Sequence, residues 1–248
     1  MTLEQFFAEN REVAIAFSGG VDSAYLLYAA TRYAARVKAY YVSTAFQPEF
    51  ELADARRLAD ELGADMLVLH VDVLSNSAVT ANPSDRCYHC KNTLFRQILR
   101  AAESDGFPVL LDGTNASDDA GDRPGMRALR ELSVRSPLRE CGLTKAEIRR
   151  LSREAGLFTW DKPAYACLAT RIRTGEEITL QKLKQTEKAE GFLFGLGFRD
   201  FRVRMVGNTA KLELREADLP LLLENREKIV TELRKDYDSV LLNLEVRK

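Results

Sequence analysis

The sequence has little of what marks a membrane, secreted or general nucleic-acid-binding protein. Among its 248 residues, no uncharged apolar run approaches the roughly 18 residues that a membrane-spanning helix needs. Residues 1–12 carry acidic and aromatic side chains instead of the basic segment and apolar core of a signal peptide. Lysine and arginine number 36 against 37 aspartates and glutamates, whereas general nucleic-acid binders usually show a basic excess. We therefore expect a cytoplasmic protein that does not bind membranes and is not a general nucleic-acid binder.

Cysteine is also scarce. Four cysteines, Cys87, Cys90, Cys141 and Cys167, are too few for a disulfide scaffold in a chain of this length. In a reducing cytoplasm they are better interpreted as metal ligands, redox groups or core residues. The hydrophobic fraction of 46% is enough to bury a sizeable core, so the chain does not need disulfides to fold.

Strand and helix patterns alternate along the first two-thirds of the chain. Short apolar runs, such as EVAIAF at residues 12–17, are each followed by a helical pattern. This alternation is typical of βαβ units and predicts an α/β fold with a doubly wound parallel sheet, which binds ligands beyond the carboxyl ends of its strands. The predicted strands cover residues 12–17, 37–43, 65–71 and 108–112, and the predicted helices cover 21–35, 49–62 and 89–103.

The pattern changes near residues 160–163, which predicts a first domain over 1–165 and a second, smaller α/β domain over 166–248. Before the change, the sequence Thr144-Lys145-Ala146-Glu147 fits a capping box and predicts the start of a helix. After it, Gly207-Asn208 fits the turn of a β-hairpin. In the second domain we predict helices at 179–194 and 216–237 and strands at 201–206, 209–214 and 239–246.

The sharpest local signal is the hexamer SGGVDS at residues 18–23, between the first strand and the first helix. Its two glycines let the backbone turn tightly and approach a ligand closely. The helix that follows presents unpaired N–H groups and a positive dipole end, which together favour an anion. Ser18 and Ser23 add hydroxyl donors, and Asp22 offers a carboxylate for Mg²⁺. The loop is neither a Walker-type phosphate loop nor a dinucleotide fingerprint, and the simplest alternative is a glycine turn with a serine cap.

SGGVDS resembles the pyrophosphate loop of the ATP pyrophosphatase (PP-loop) superfamily. A second segment, DGTNASD at residues 112–118, is similar to another nucleotide loop of that superfamily, although by itself it would also fit an ordinary polar turn. The resemblance implies an adenine nucleotide alpha hydrolase-like fold and cleavage of ATP between its α and β phosphates. The ATP-binding residues that it implies are Ser18, Gly19, Gly20, Val21, Asp22, Ser23, Ser43, Gly113, Thr114 and Asn115.

The cysteines leave several kinds of site open. Cys87 and Cys90 form a C-x-x-C pair, which fits a redox pair, half a zinc site or part of an iron–sulfur site. Together with Cys167, three thiolates are enough for a [4Fe–4S] cluster with one open iron. A zinc site with a histidine remains an alternative, but His70 fits a buried strand and His89 would be strained between the two cysteines. We interpret Cys141 as an ordinary thiol.

In combination the motifs resemble the LarE-type sulfur transferases over roughly residues 10–210. They are SGGVDS, DRCYHCK at 85–91, DGTNASDD at 112–119, the segment 123–138 and KPAYACLATRI at 162–172. The resemblance implies that ATP adenylates a carboxylate of pyridinium-3,5-biscarboxylic acid mononucleotide, and that sulfur then replaces AMP to give a thiocarboxylate. The product belongs to nickel-pincer nucleotide biosynthesis, so the partners implied are nickel-inserting maturation proteins, and we also expect a homo-oligomer.

The same resemblance divides the sulfur donors into two branches. In one, a single cysteine near Cys167 gives up its own sulfur. In the other, three cysteines hold a [4Fe–4S] cluster whose open iron carries a hydrosulfide. Because this chain has Cys87 and Cys90 as well as Cys167, it resembles the cluster branch, with Asp22 and Cys167 as the catalytic residues.

Arginines are concentrated in the first half of the second domain. Arg202 and Arg204 are two residues apart on a predicted strand and therefore share a face, although a solvated face is an equally simple interpretation. Guanidinium groups suit the phosphate and carboxylates of the implied substrate. The substrate-binding residues predicted here are Tyr88, which would stack on the pyridinium ring, and Thr170, Arg171, Arg202 and Arg204, with Arg173 close to them in sequence.

Three rival functions share parts of this pattern. A tRNA thiolase pairs such a loop with cluster cysteines, but the predicted second domain has only 16 basic residues against 14 acidic ones. An amide-forming ATP pyrophosphatase would not need three cysteines. A non-catalytic nucleotide sensor would not need the metal-binding carboxylate of Asp22.

Overall fold

The centre of the first part of the molecule is a four-stranded parallel sheet, in a computed structural model that describes residues 1–118 and 124–247. Its strands are β1 (Glu12–Ala16), β2 (Arg36–Ser43), β3 (Met66–His70) and β4 (Val109–Leu111). The strand order is β3-β2-β1-β4, and Ile15 of the first strand pairs with both Ala39 and Leu111. The predicted parallel sheet is therefore confirmed.

Helices cover both faces of this sheet, as the near-continuous apolar strands require. The helices in chain order are α1 (Leu3–Glu9), α2 (Val21–Tyr33), α3 (Glu49–Leu62), α4 (Ser77–Thr80), α5 (Arg86–Ser104), α6 (Pro124–Glu131), α7 (Pro137–Glu140), α8 (Lys145–Glu154), α9 (Leu180–Gly195), α10 (Leu219–Glu224) and α11 (Arg226–Leu233). Val13 and Ile15 are fully buried in a core with α1, α2, α3 and α8, whereas Ala14 between them is buried against α5.

Two helix ends follow the local chemistry of the sequence. Helix α3 ends at Gly63, whose φ of 61° lies in the left-handed region that favours glycine. Helix α8 begins with the predicted capping box, in which the backbone N–H of Thr144 donates to the Glu147 carboxylate at 2.8 Å and Glu147 N–H donates back to the Thr144 hydroxyl at 3.3 Å. No helix in residues 1–118 or 124–247 is both long and apolar enough to cross a membrane.

Three predicted elements differ from the structure by three or more residues at a boundary. Helix α5 begins at Arg86 instead of His89, so the C-x-x-C pair lies in its first turn. The predicted helix 216–237 is split into a 3-10 turn, α10 and α11, because the Asn225 side chain bonds the Leu221 carbonyl and ends the first helix. The last strand covers Ser239–Leu242 only.

The second part of the molecule is built on a three-stranded sheet with α9 packed against it. The strands β5 (Arg202–Val206) and β6 (Thr209–Glu213) form the predicted antiparallel hairpin, with Gly207 in the turn at a φ of 57°. The strand β7 (Ser239–Leu242) pairs in parallel with β6. Short 3-10 helices cover Val73–Ser75, Phe158–Asp161, Leu168–Arg171 and Glu216–Asp218.

The chain divides into two compact units that are not two continuous halves. The first unit comprises Met1–Val73 and Asp85–Tyr165, and the second comprises Leu74–Ser84 and Ala166–Lys248. The segment Leu74–Ser84 groups with the second unit, although it falls within the range 1–165 predicted for the first domain. Buried Asn82 donates its side-chain amide to the Arg173 carbonyl at 2.8 Å, which anchors the segment to the second unit. Asp119 and Arg123, which belong to two of the sequence motifs, lie outside the described residues.

Candidate active site

The loop after β1 has the geometry of an anion-binding turn. Gly20 is the N-cap of α2, and Gly19 has a φ of +72°, so a side chain at residue 19 would be strained. The hydroxyl oxygens of Ser18 and Ser23 lie 3.0 Å apart, and Ser23 also donates to the Gly20 carbonyl at 3.2 Å. These bonds close the turn across its mouth and hold two hydroxyls beside the amino end of a 13-residue helix.

The second loop packs directly against the first. A Cβ atom on Gly113 would lie only 2.9 Å from the backbone nitrogen of Ser23, so only glycine allows this approach. Asp112 holds the loop in place, because it accepts hydrogen bonds from the hydroxyls of Thr114 at 2.5 Å and Ser136 at 2.6 Å. The two loops predicted from separate motifs therefore meet at the start of α2.

Between the loops lies an open cleft of about 330 Å³. Of the predicted ATP-binding residues, six line it, while Gly19, Val21, Ser43 and Asn115 do not. Val21 is buried in the core, Asn115 is 2% exposed, and Ser43 ends β2, where its carbonyl accepts the Val71 N–H. The lining residues are Ala16, Ser18, Gly20, Asp22, Ser23, Lys91, Phe95, Asp112, Gly113, Thr114 and Asp118.

The two oxygens of Asp22 have different environments. Oδ2 lies 2.5 Å from the Nζ of Lys145, whereas Oδ1 is buried and has no hydrogen-bond partner among residues 1–118 and 124–247. Burial raises the pKa of the Asp22 carboxyl, and the nearby ammonium of Lys145 works against that rise. A buried carboxylate oxygen without a donor suits a hard cation, so this site fits Mg²⁺.

The sequence did not predict two cationic side chains of the site, Lys145 and Lys91. Lys145 is 123 residues away from Asp22 along the chain, and only the packing of α8 beside the loop brings the pair together. Its own backbone N–H donates to the Ser117 hydroxyl at 3.0 Å, which ties the start of α8 to the second loop. Lys91 follows the C-x-x-C pair in sequence and reaches the cleft from α5, next to Gly125. Its position directly after Cys90 forms no sequence pattern that predicts a place in the cleft.

The C-x-x-C pair lies on one face of α5, because residues three apart are neighbours on a helix. Cys87 is exposed, and Cys90 is partly buried. Within the part of the chain that the structure describes, no group of three or more histidine, cysteine, aspartate or glutamate side chains is arranged to hold a metal. Cys87 and Cys90 belong to the first unit and Cys167 to the second, so the three-cysteine site stays a prediction.

Tyr88 is held between polar neighbours on α5 and α6. Its hydroxyl donates to the Glu131 carboxylate at 2.7 Å, and this bond raises the pKa of the phenol. The Arg127 guanidinium lies 4.1 Å from the ring centroid and covers one face of the ring. The predicted stacking on a pyridinium ring therefore has only the other face of Tyr88 to use.

In the second unit, Cys167 is the N-cap of the 3-10 helix Leu168–Arg171. Its carbonyl accepts the N–H of Thr170 at 2.9 Å and the Thr170 hydroxyl at 2.8 Å. Cys167 is partly exposed, and these bonds hold it at the start of a short hydrogen-bonded turn. Thr170, predicted to bind substrate, serves in this structure to fix that turn.

Arg171 is a structural residue in this geometry. Its Nε and Nη2 atoms form two bonds to the Glu190 carboxylate, at 2.7 and 3.0 Å, and Nη1 donates to the Ala166 carbonyl at 3.0 Å. The side chains of Arg171 and Glu190 are 0% and 2% exposed. These bonds do not support the prediction that the Arg171 guanidinium contacts substrate directly.

Arg202 and Arg204 differ although both lie on β5. Arg202 is buried, and burial lowers the pKa of its guanidinium, with Arg171 and Arg247 adding to the effect. Arg204 is half-exposed and donates to Glu213 at 2.8 Å. It lines an open cleft of about 420 Å³ in the second unit, whereas Arg202 does not. The cleft is lined by Thr170, Arg171, Ile172, Arg173, Thr174, Arg204, Met205, Val206 and Lys211.

Comparison with known proteins gives matches along most of the chain. The family model for asparagine synthase matches residues 4–119. Pyridinium-3,5-bisthiocarboxylic acid mononucleotide synthase of Lactiplantibacillus plantarum is 32% identical over 94% of this chain and 85% of its own length. An uncharacterized protein of Synechocystis is 40% identical over 86% of this chain and 80% of its own length. A tRNA-specific 2-thiouridylase of Thermotoga petrophila is 26% identical over 59% of this chain and 52% of its own length.

Proposed function

Because this chain belongs to the LarE-type sulfur transferases of the PP-loop superfamily, we propose that it makes a thiocarboxylate from pyridinium-3,5-biscarboxylic acid mononucleotide in nickel-pincer nucleotide biosynthesis. At the coarser level, the chain is an enzyme, an ATP-dependent sulfur transferase. The name of the Lactiplantibacillus relative supports the finer proposal, since two rounds of this reaction, one on each carboxylate, would yield a bisthiocarboxylic acid mononucleotide.

The observation that carries the proposal is the close approach of the two loops at the start of α2. Gly113 lies against the backbone of Ser23, and the hydroxyls of Ser18 and Ser23 meet beside the helix N-terminus. The two serines and the amino end of α2 therefore border one small cleft. Such a site holds a highly charged leaving group, which is what pyrophosphate becomes when the bond to the α-phosphorus breaks.

In the first step, a carboxylate oxygen of the substrate attacks the α-phosphorus of ATP. The bond between that phosphorus and the bridging oxygen breaks, and pyrophosphate leaves with the bonding electrons. The Ser18 hydroxyl would donate to the leaving group in place of its contact with Ser23, and Lys91 adds a positive charge at the cleft. Mg²⁺ held by Oδ1 of Asp22 would neutralise the phosphate oxygens.

In the second step, a sulfur nucleophile attacks the activated carbonyl carbon, and AMP leaves with the electrons of the C–O bond. We propose a [4Fe–4S] cluster with Cys87, Cys90 and Cys167 as its ligands, and a cluster with one open iron would supply a soft sulfide for this step. The donor types and the helical spacing of Cys87 and Cys90 fit such a cluster. The alternative within the same function is that Cys167 donates its own sulfur.

The open cleft in the second unit supports binding of the substrate's phosphate. Arg173, Arg204 and Lys211 line it, and the Arg173 side chain is exposed. Guanidinium groups pair well with phosphate oxygens, because their N–H groups match the spacing of two oxygens. Arg204 stays a predicted substrate-binding residue, and its Nε is bound to Glu213. The expected homo-oligomer and the nickel-inserting partner proteins stay predictions.

The experiment is a product assay on protein purified without oxygen, with ATP, Mg²⁺, sulfide and the biscarboxylic acid mononucleotide. We expect AMP and pyrophosphate in equal amounts and a substrate mass that shifts as sulfur replaces oxygen. Formation of ADP would contradict the proposal, because it would mean attack on the γ-phosphate. AMP formation without any thiocarboxylate would retain the adenylation and reject the sulfur transfer.

The similarity to a tRNA thiouridylase favours one second candidate, a tRNA thiolase that uses the same adenylation chemistry. Retardation of tRNA on a native gel and ATP-dependent thiolation of tRNA would support it. With the near-neutral charge of the whole chain, we expect no retardation at physiological salt.

A further inference from the structure

The ion pair between Asp22 and Lys145 gives the first unit a cation at the place where a metal is needed. Lys145 Nζ is bound to Oδ2 of Asp22 at 2.5 Å, and both side chains are partly buried, at 35% and 22% exposure. Lys145 is the first residue of α8, and the capping box with Glu147 fixes the backbone from which its side chain extends. The ammonium is thus directed to the loop by a rigid helix start.

We infer that Lys145 is a placeholder cation. It prevents free metal ions from binding to Asp22, and a metal binds there only when it arrives as a complex with ATP. Mg²⁺ alone would add two positive charges to a neutral ion pair, beside an ammonium that already occupies one carboxylate oxygen. Mg²⁺ bound to ATP carries a net negative charge, so its arrival is favoured by the same ammonium. The charges of the pair therefore discriminate between the two forms of the metal.

The position of the Lys145 ammonium also allows it to move from Asp22 to a second anion. When metal and nucleotide bind together, the phosphate oxygens offer Lys145 a second anion next to Asp22, in a cleft that Ser18 and Gly20 already line. Oδ1 of Asp22, which has no partner among the described residues, is left for the metal. Lys145 is accordingly a positioning residue, and this second half of the inference rests on the proposed ATP chemistry, whereas the metal-exclusion half does not.

The test uses Mn²⁺ alone as a paramagnetic probe on the full chain without nucleotide. Lys145→Met keeps the length of the side chain and removes its charge, so we expect it to bind Mn²⁺ at least about tenfold more tightly than the wild type, the scale on which a neighbouring like charge acts at a partly buried site. Lys145→Arg should bind Mn²⁺ as weakly as the wild type. The added Asp22→Asn change should abolish the gain, because the gained site is the Asp22 carboxylate.

A matched control is Lys38→Met. Lys38 lies near the amino end of β2, away from the loop at residues 18–23, and its ammonium is 2.9 Å from the Asp105 carboxylate. This variant should leave Mn²⁺ binding unchanged. Equal Mn²⁺ affinity of the wild type and Lys145→Met would overturn the inference, as would a gain that persists without Asp22. If Lys145→Met does not melt cooperatively, Lys145→Gln makes the same comparison.

A second measurement tests the move to phosphate. The affinity of Lys145→Met for Mg²⁺ with a non-hydrolysable ATP analogue should fall about tenfold, since one charge-assisted contact to phosphate is lost. Tighter Mn²⁺ binding together with unchanged nucleotide affinity would reject that move. Failure of the proposed function appears separately, as a wild type that yields no AMP, because the Mn²⁺ measurement involves neither nucleotide nor turnover.

Discussion

Arg171 and Glu190 form a two-pronged ion pair inside the second unit, with bonds of 2.7 and 3.0 Å and almost no exposed surface. Glu190 also accepts the backbone N–H of Val203 at 2.9 Å, so one carboxylate joins the turn after Cys167, helix α9 and strand β5. The pair therefore fixes the position of the Cys167 turn relative to the sheet of its own unit.

Removing one partner of this pair should destabilise the protein strongly. We expect Arg171→Met to lower the free energy of unfolding by about 3–5 kcal/mol, because the Glu190 charge would stay buried without its partner. Urea unfolding followed by circular dichroism measures the loss. The double variant Arg171→Met/Glu190→Leu should lose less than Arg171→Met alone, and a larger loss in the double variant would show that the pair is not the unit that matters.

Gly113→Ala should impair nucleotide binding more than folding. The added Cβ would lie 2.9 Å from the Ser23 nitrogen, so the two loops must move apart by several tenths of an ångström. A displacement of about an ångström in a positioned site can lower the reaction rate about 100-fold. We therefore expect at least a tenfold loss in affinity for an ATP analogue, measured by calorimetry. The matched control is Gly191→Ala in α9, where no atom lies within 4 Å of the new Cβ. That variant should bind the analogue normally.

The cysteine variants distinguish the two sulfur donors. Protein purified without oxygen should be brown, and alanine at Cys87, Cys90 or Cys167 should remove the iron and the sulfur transfer together. Cys141→Ala is the control, because Cys141 packs against the hydrophobic core and burial raises the pKa of its thiol. A wild type without iron that loses H₂S from Cys167 after one turnover would identify the thiol itself as the donor.

Glu213 should make stability depend on pH. Burial by itself would raise the pKa of its carboxyl, but the Arg204 and Lys211 cations outweigh this and the pKa lies below its usual 4.5. A lowered pKa in the folded state stabilises the fold above pH 4.5, and this contribution is lost as the pH falls through the lowered value. Glu213→Gln should therefore be less stable than the wild type at neutral pH, with a difference that shrinks in acid. A pH-independent difference in urea unfolding would rule out this charge effect.

The sequence was sufficient where structure follows from neighbours along the chain. The alternating apolar runs predicted four parallel strands, and the hexamer at 18–23 predicted the turn at the start of α2, because turn chemistry and periodicity act over a few residues. The Thr144 capping box is of the same kind. These features need no knowledge of which distant segments meet.

What escaped prediction depends on distant partners. Lys145 acquires its role from Asp22, 123 residues away, and Arg171 forms its buried ion pair with Glu190, which lies on another helix. From the sequence alone, an arginine that binds substrate cannot be distinguished from an arginine in a buried ion pair. Lys91 escaped for the same reason, since only the packing of α5 brings it to the cleft.

The assignment of Leu74–Ser84 to the second unit means that the backbone passes between the units three times. Expressed alone, residues 1–165 would carry Asn82 and Thr80 without Arg173 and Ile178, the residues whose backbone they bond. Residues 166–248 would in turn lack Leu74–Ser84, which is part of the same compact unit. Neither piece is then a self-sufficient module, and a protease cut after Tyr165 should leave the two fragments associated until denaturant is added. The helix that carries Cys87 and Cys90 starts just after the second of these passages, at Arg86.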